Sequence, residues 1–133
     1  MRLLLLVLLS FFIATATQAQ TRLQFCVQVD KDGNCLNPAK EFGISADGGT
    51  LSFMVRNDKG LNDTLIRYKI YFLDENGNEK LARTINQPTK NDWSFAWQDV
   101  VFYDAGTYKV KAYGIRNRQE DFLYSEIIKV YVR

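Results

Sequence analysis

The chain has 133 residues, of which 24% are charged, and its 17 basic and 15 acidic side chains leave a formal net charge of +2. That balance offers no general attraction to nucleic-acid phosphates and names no partner by itself. Histidine is absent, which excludes Ser-His-Asp and Cys-His nucleophile chemistry, imidazole metal ligation and a histidine pH switch.

MRLLLLVLLSFFIATATQAQ opens the chain with one cation at Arg2, an apolar run from Leu3 to Ile13 and small residues up to Ala19. This is the layout of a secretory signal peptide cut after Ala19, with a cut after Ala16 as the competing choice. The apolar run is too short for a membrane span. Residues 1–19 are therefore assigned to a cleaved leader and 20–133 to one domain, secreted or periplasmic. Loss of Arg2 lowers the formal charge from +2 to +1. Cys26 follows Leu23, Gln24 and Phe25, a context that rejects lipid anchoring.

Apolar residues then recur at every second position, the period of half-buried strands, between turn-forming clusters. Leu23, Phe25, Val27 and Val29 line a first strand that ends at DKDGN. Phe42 and Ile44 mark a second, and Leu51, Phe53 and Val55 a third. Ile66, Tyr68, Ile70 and Phe72 form a fourth, closed by DENGN; Leu81, Arg83 and Ile85 form a weaker fifth that fails at Pro88. In the sixth, Trp93, Phe95 and Trp97 alternate with Ser94, Ala96 and Gln98, which predicts that the aromatic face packs in the core rather than serving as a platform for sugar rings. Tyr108, Val110 and Ala112 begin a seventh, and Ile128, Val130 and Val132 belong to the last. About seven to eight short strands without a sustained helical period predict an all-β, two-sheet antiparallel sandwich.

WSFAWQDVVFYDAGTYKVKA, residues 93–112, resembles the corner between two strands of immunoglobulin-like domains. Phe95, Trp97 and Val100 take the apolar positions of that pattern, and Asp104, Gly106 and Tyr108 supply its D-x-G-x-Y. The resemblance implies an immunoglobulin-like sandwich with Tyr108 as a tyrosine-corner residue. Val110 stands where the family's second core cysteine would be, so an inter-sheet disulfide of the antibody type is excluded. GTYKVKAY also looks like polycystic-kidney-disease-type modules and IRYKIYFLDENG like a fibronectin type III strand and turn; all three are sandwiches, and none implies a particular activity.

Cys26 and Cys35, the only cysteines, lack the spacing of a redox or zinc motif and are expected to pair in an oxidising compartment. A regular hairpin through DKDG would set Val29 opposite Asn34 and leave the two cysteines diagonal, about 7 Å apart. Asp30, Asp32 and Asn34, like Asp74, Asn76 and Asn78, open with EF-hand spacing, but glycine falls at the wrong position for a calcium loop. Turn chemistry, with Gly33 and Gly77 left-handed, explains both segments better, and no metal or cofactor is expected. Asn62-Asp63-Thr64 is a sequon that carries meaning only in a eukaryotic secretory pathway.

If Tyr68, Ile70, Tyr108, Val110, Val130 and Val132 point inward, then Arg67, Lys69, Tyr71, Lys109, Lys111, Tyr113, Lys129, Tyr131 and Arg133 point to solvent. These positions hold six cations, three tyrosines and no acid, while acids such as Asp58, Asp92, Asp104, Glu120 and Asp121 gather in turns. In an immunoglobulin-like topology the three strands would be sheet neighbours. Such a face can simply keep a sheet soluble, or it can bind an anionic glycan, lipid headgroups or an acidic protein patch. The expected function is a non-catalytic binding or adhesion module, the alternative a secreted inhibitor or accessory subunit. No carboxylate pair falls in a recognisable catalytic motif.

Overall fold

Ten strands form where apolar residues alternate between breaks rich in Gly, Asn and Asp, in a computed structural model that describes residues 21–133. The leader assigned to 1–19 lies outside the described residues. The strands are β1 (Arg22–Cys26), β2 (Gln28–Val29), β3 (Cys35–Leu36), β4 (Glu41–Ile44), β5 (Gly49–Arg56), β6 (Leu65–Leu73), β7 (Glu79–Pro88), β8 (Phe95–Phe102), β9 (Gly106–Arg116) and β10 (Gln119–Val132). Three of them build a sheet in the order β1-β5-β8, five a sheet in the order β4-β10-β9-β6-β7, and β2 and β3 pair as a separate ribbon. Pairing is antiparallel except between β4 and β10, which run parallel.

The inward faces of the two larger sheets share one core. Leu23, Phe25, Leu51, Phe53 and Val55 come from the smaller sheet, and Ile66, Tyr68, Ile70, Val110, Ala112, Ile128 and Val130 from the larger. Burial alternates residue by residue along β6 and β9, because a pleated strand sends successive side chains to opposite faces. The alternation stops at the ends: Phe72 and Val132, placed inward by pattern, stand at the ends of β6 and β10 and are exposed, although their register partners Tyr108 and Ile44 are buried.

Two other expectations change. β1 ends at Cys26 and Val27 is 55% exposed, so LQFCVQV is broken by a bend rather than drawn out as one strand. In β8 the face is inverted: Ala96, Val100 and Phe102 are buried, whereas Trp93 and Trp97 are exposed. β8 pairs with β5 without a bulge from Phe95 to Phe102. Val100 and Trp97 have opposite parity, so an unbroken strand cannot bury both.

At the turn into β9, the Tyr108 hydroxyl donates to the Asp104 carbonyl at 2.9 Å, closing the corner. Gly106 has no side chain because a Cβ there would stand 2.7 Å from the Phe72 ring.

The open side of the sandwich, between edge strands β7 and β8, is closed by side chains. Gln87, buried on β7, accepts from the Tyr68 hydroxyl at 2.8 Å and donates to the Trp97 carbonyl at 2.6 Å. Arg83 donates to the Val101 carbonyl at 2.6 Å. Burial holds the Tyr68 phenol far above its usual pKa, so the hydroxyl stays protonated and remains the donor. Tyr68→Phe leaves the Gln87 oxygen without its buried partner and should cost about 1 to 3 kcal/mol. A urea midpoint that falls with an unchanged slope is the expected reading; an unchanged midpoint would mean that water takes over the bond.

Candidate functional site

Two outward faces carry the side chains that chemistry can use, one on each large sheet. On the five-stranded sheet, the order β10-β9-β6 puts the three cation-rich strands side by side. Register then sets Arg67 opposite Tyr113, Lys69 opposite Lys111 and Tyr71 opposite Lys109. Two lysines directly across a pair repel; here each one leans over the diagonal ring, Lys69 lying 4.5 Å from the Tyr113 centroid and Lys111 lying 4.6 Å from that of Tyr71. These cation–π contacts and the neighbouring carboxylates offset the repulsion.

Those carboxylates are the chief revision to the sequence reading of this face. Glu120 belongs to β10 rather than to a loop and accepts from Arg67 at 2.7 Å and from Lys69 at 2.8 Å. Glu79, at the start of β7, binds Lys111 at 2.8 Å and Lys109 at 3.2 Å. The face thus has a near-symmetric plan, a central lysine pair with a tyrosine and a bridging glutamate for each lysine. Hydrogen bonds from Lys111 and Lys109 hold Glu79 below the usual glutamate pKa, and bonds from Lys69 and Arg67 do the same for Glu120. Reciprocally, Lys69 and Lys111 are raised, each first by its hydrogen bond to the glutamate.

Lys129 and Tyr131 lie on the same side of β10, toward the other edge, and both are exposed. Arg133 donates to the Gly43 carbonyl at 3.0 Å and is tied to β4. A second acid, Glu126, pairs with Lys40 at 3.2 Å. Glu79 and Glu120 escape pattern reading because each sits beside a turn, and only the register shows which cations it meets.

On the three-stranded sheet, the outward residues form rows: Arg22, Arg56 and Phe95; Gln24, Met54 and Trp97; Cys26, Ser52 and Asp99. The β2–β3 ribbon lies over part of this face. Cys26 and Cys35 form a disulfide with a Cα separation of 5.4 Å, and Cys26, Val29 and Met54 make a small second core beneath the ribbon. The diagonal geometry expected of a regular hairpin does not arise, because Val29 pairs with Cys35 rather than Asn34 and the chain bends at Val27.

Turn chemistry accounts for the acidic residues of this loop. Asp30 Oδ1 accepts from the amides of Asp32 at 2.9 Å and Asn34 at 2.8 Å, and Asp74 repeats both bonds with Asn76 and Asn78. The amide of Asn34, and that of Asn78 in the second turn, is the largest cause holding each carboxyl below its usual range. Gly33 and Gly77 both adopt φ of 79°, a left-handed conformation that glycine takes without strain.

Beside the ribbon runs the aromatic row. The Phe95 and Trp97 rings are nearly parallel, with centroids 6.1 Å apart and an interplanar angle of 17°. Arg56 covers Phe95 at 5.3 Å and donates to the Gly33 carbonyl, so the ribbon turn is fastened to the end of the row. Ser52 donates to Asp99 at 2.6 Å on the same face. The sequon residue Asn62 is exposed in the connection before β6.

The disulfide closes a short loop, so replacing Cys26 and Cys35 by alanine should cost about 2 to 3 kcal/mol through loop entropy. Because the loop covers Met54, the same variant should gain binding of a hydrophobic dye while keeping its far-ultraviolet β spectrum. A double variant with wild-type stability would show that the ribbon is held by the Arg56 and Val29 contacts alone.

No family model matches the chain, and no curated protein matches it. Among solved structures, it is similar to the crystal structure of an immunoglobulin-like protein from Pseudomonas aeruginosa, with 12% sequence identity and a TM-score of 0.51 over 86% of this chain and 98% of that one. At that identity the likeness concerns the fold alone. Among the described residues no helix is long and apolar enough to cross a membrane. The chain has an immunoglobulin-like β-sandwich fold, with a local disulfide at its N-terminal end.

Proposed function

We propose that this protein is an exported, non-catalytic binding module that holds an anionic partner, an acidic glycan or an acidic protein surface, on the outer face of its five-stranded sheet. One observation carries the reading: Arg67, Lys69, Lys109, Lys111 and Lys129 share that face with three glutamates, Glu79 and Glu120, which pair with four of these cations, and Glu41, opposite Lys129. The surplus is positive, and Tyr71, Tyr113 and Tyr131 between the cations supply flat, hydrogen-bonding contact area. The glutamates preorganise the lysines, so less side-chain freedom is lost on binding. The disulfide supports export, since such bonds persist in oxidising compartments.

Retention on a sulfated polysaccharide column tests this. Lys109→Glu with Lys111→Glu should abolish retention at about 0.1 M salt, and Lys129→Glu should weaken it without breaking an ion pair. Unchanged retention in both variants, each still melting cooperatively, would sink the reading.

The pH dependence has a fixed sign. Glu79 and Glu120 have folded pKa values below the ordinary 4.5. The stability from their pairing is therefore present above pH 4.5 and lost as pH falls through the lowered values. Over that same fall the face loses its negative charges while the sulfates stay ionised. Retention should therefore be level from about pH 7 to 5 and rise below about pH 4. A fall in that acid range, with the fold intact, contradicts the charge assignment.

A further inference from the structure

The aromatic row on the smaller sheet takes no part in this charge chemistry, and its geometry calls for a ligand of another kind. Trp93 and Trp97 are 39% and 41% exposed, a large apolar cost to leave in water. They line a surface groove of about 650 Å³ together with Pro88, Asp92, Phe95 and Gln98, within the size range of small-ligand sites. The Phe95 and Trp97 rings stack on one another and Arg56 lies over Phe95, which leaves the exposed Trp93 and Trp97 indoles as the apolar surface of the groove, with the Asp92 carboxylate lining it as an acceptor.

Charge narrows the occupant. Asp92 is the only ionisable residue lining the groove, so an anion is turned away. The cation-attracting face of Phe95 is already taken by the chain's own Arg56. An added β-strand is obstructed as well, because Gln87 and Arg83 occupy the outward carbonyls of Trp97 and Val101 on the edge strand. A neutral sugar chain meets these conditions: the C–H face of a pyranose packs on an exposed indole, and its hydroxyls donate to the carboxylate.

We propose that the groove along Trp93, Phe95 and Trp97 binds a neutral glycan chain, with sugar rings stacked on the exposed indoles and hydroxyls bonded to Asp92. The site is separate from the cationic face and does not depend on it.

The protein has two tryptophans in all, Trp93 and Trp97, both lining this groove, so selectively excited tryptophan emission reports on it. The oxidised protein is titrated with the β-1,4 hexaoses of glucose and of N-acetylglucosamine and with the α-1,4 hexaose of glucose, each to about 10 mM. A saturable change with at least one of them is expected. By calorimetry, Trp97→Ala should weaken that sugar by about tenfold or more, and Asp92→Asn, a loop change that leaves both indoles in place, by several-fold. Lys109→Glu with Lys111→Glu should leave sugar affinity unchanged, which separates this site from the anionic one. The proposal is overturned if none of the hexaoses gives a saturable change, or if both groove variants bind as wild type. It is also overturned if sedimentation finds a dimer that Trp97→Ala dissociates, for then a second copy of the chain fills the groove.

Discussion

The Phe53 ring joins the two sheets, and much of the surface chemistry follows from where it points. It is fully buried, meets Phe25 edge-on at 5.1 Å within its own sheet and meets Tyr68 at 5.6 Å across the core. It also lies 6.0 Å from Phe102, which continues to Tyr108 at 5.1 Å. Edge-to-face packing of this kind adds to the area term that drives burial. With Phe53 and Phe102 inward, the parity of β5 and β8 is set, and so are their outer faces. Met54 and Ser52 must point out, and so must Phe95, Trp97 and Asp99. Cys26, next to Phe25, must follow them. The disulfide ribbon therefore lands on the outside of the sheet rather than in the core, and the aromatic row beside it is left in water.

This parity explains what could be read from the sequence and what could not. β5, β6 and β9 were legible because every second residue is apolar and the other set, Met54 of β5 apart, is mostly polar. β8 misled because WSFAW puts its largest side chains on one parity while Val100 and Phe102 put theirs on the other. A tie between local size and strand continuity is decided by the neighbours across the core and within the sheet, where Tyr108 and Phe53 both pack against an inward Phe102. The immunoglobulin-like corner pattern contained the same conflict, since it names Phe95, Trp97 and Val100 together. The disulfide was legible as chemistry, from compartment and count. Its register was not, because the bend at Val27 depends on Met54 and Val29 closing over each other, a contact invisible along the chain.

The cationic face shows a different limit. Alternation along single strands placed Lys69, Lys111, Tyr71 and Tyr113 correctly on one side of the sheet. Whether those charges are free or answered depends on which residues the outer strands bring alongside, and that is a property of register across four strands. Glu79 and Glu120 lie 41 residues apart in the sequence, yet each bridges two cations of the central pair of strands. They stabilise a surface that would otherwise repel itself, and they lower its attraction for anions at the same time. The tuning has a direction: protonating the glutamates trades internal pairing for external charge.

The two faces look away from each other across a core whose sheets are spaced about 10 Å apart, and different forces act on them. Coulomb attraction at the five-stranded sheet weakens as salt shortens the screening length, whereas stacking at the three-stranded sheet does not depend on ionic strength. Between them stands the bond from Tyr68 through Gln87 to the Trp97 carbonyl. Tyr68 lies on β6 beside Arg67 and Lys69, and Trp97 lies in the aromatic row, so this one buried path ties the backbone of both faces together. It fixes their positions without coupling their charges, because both of its hydrogen bonds join neutral groups. A change of salt thus acts on one face while the other keeps its geometry.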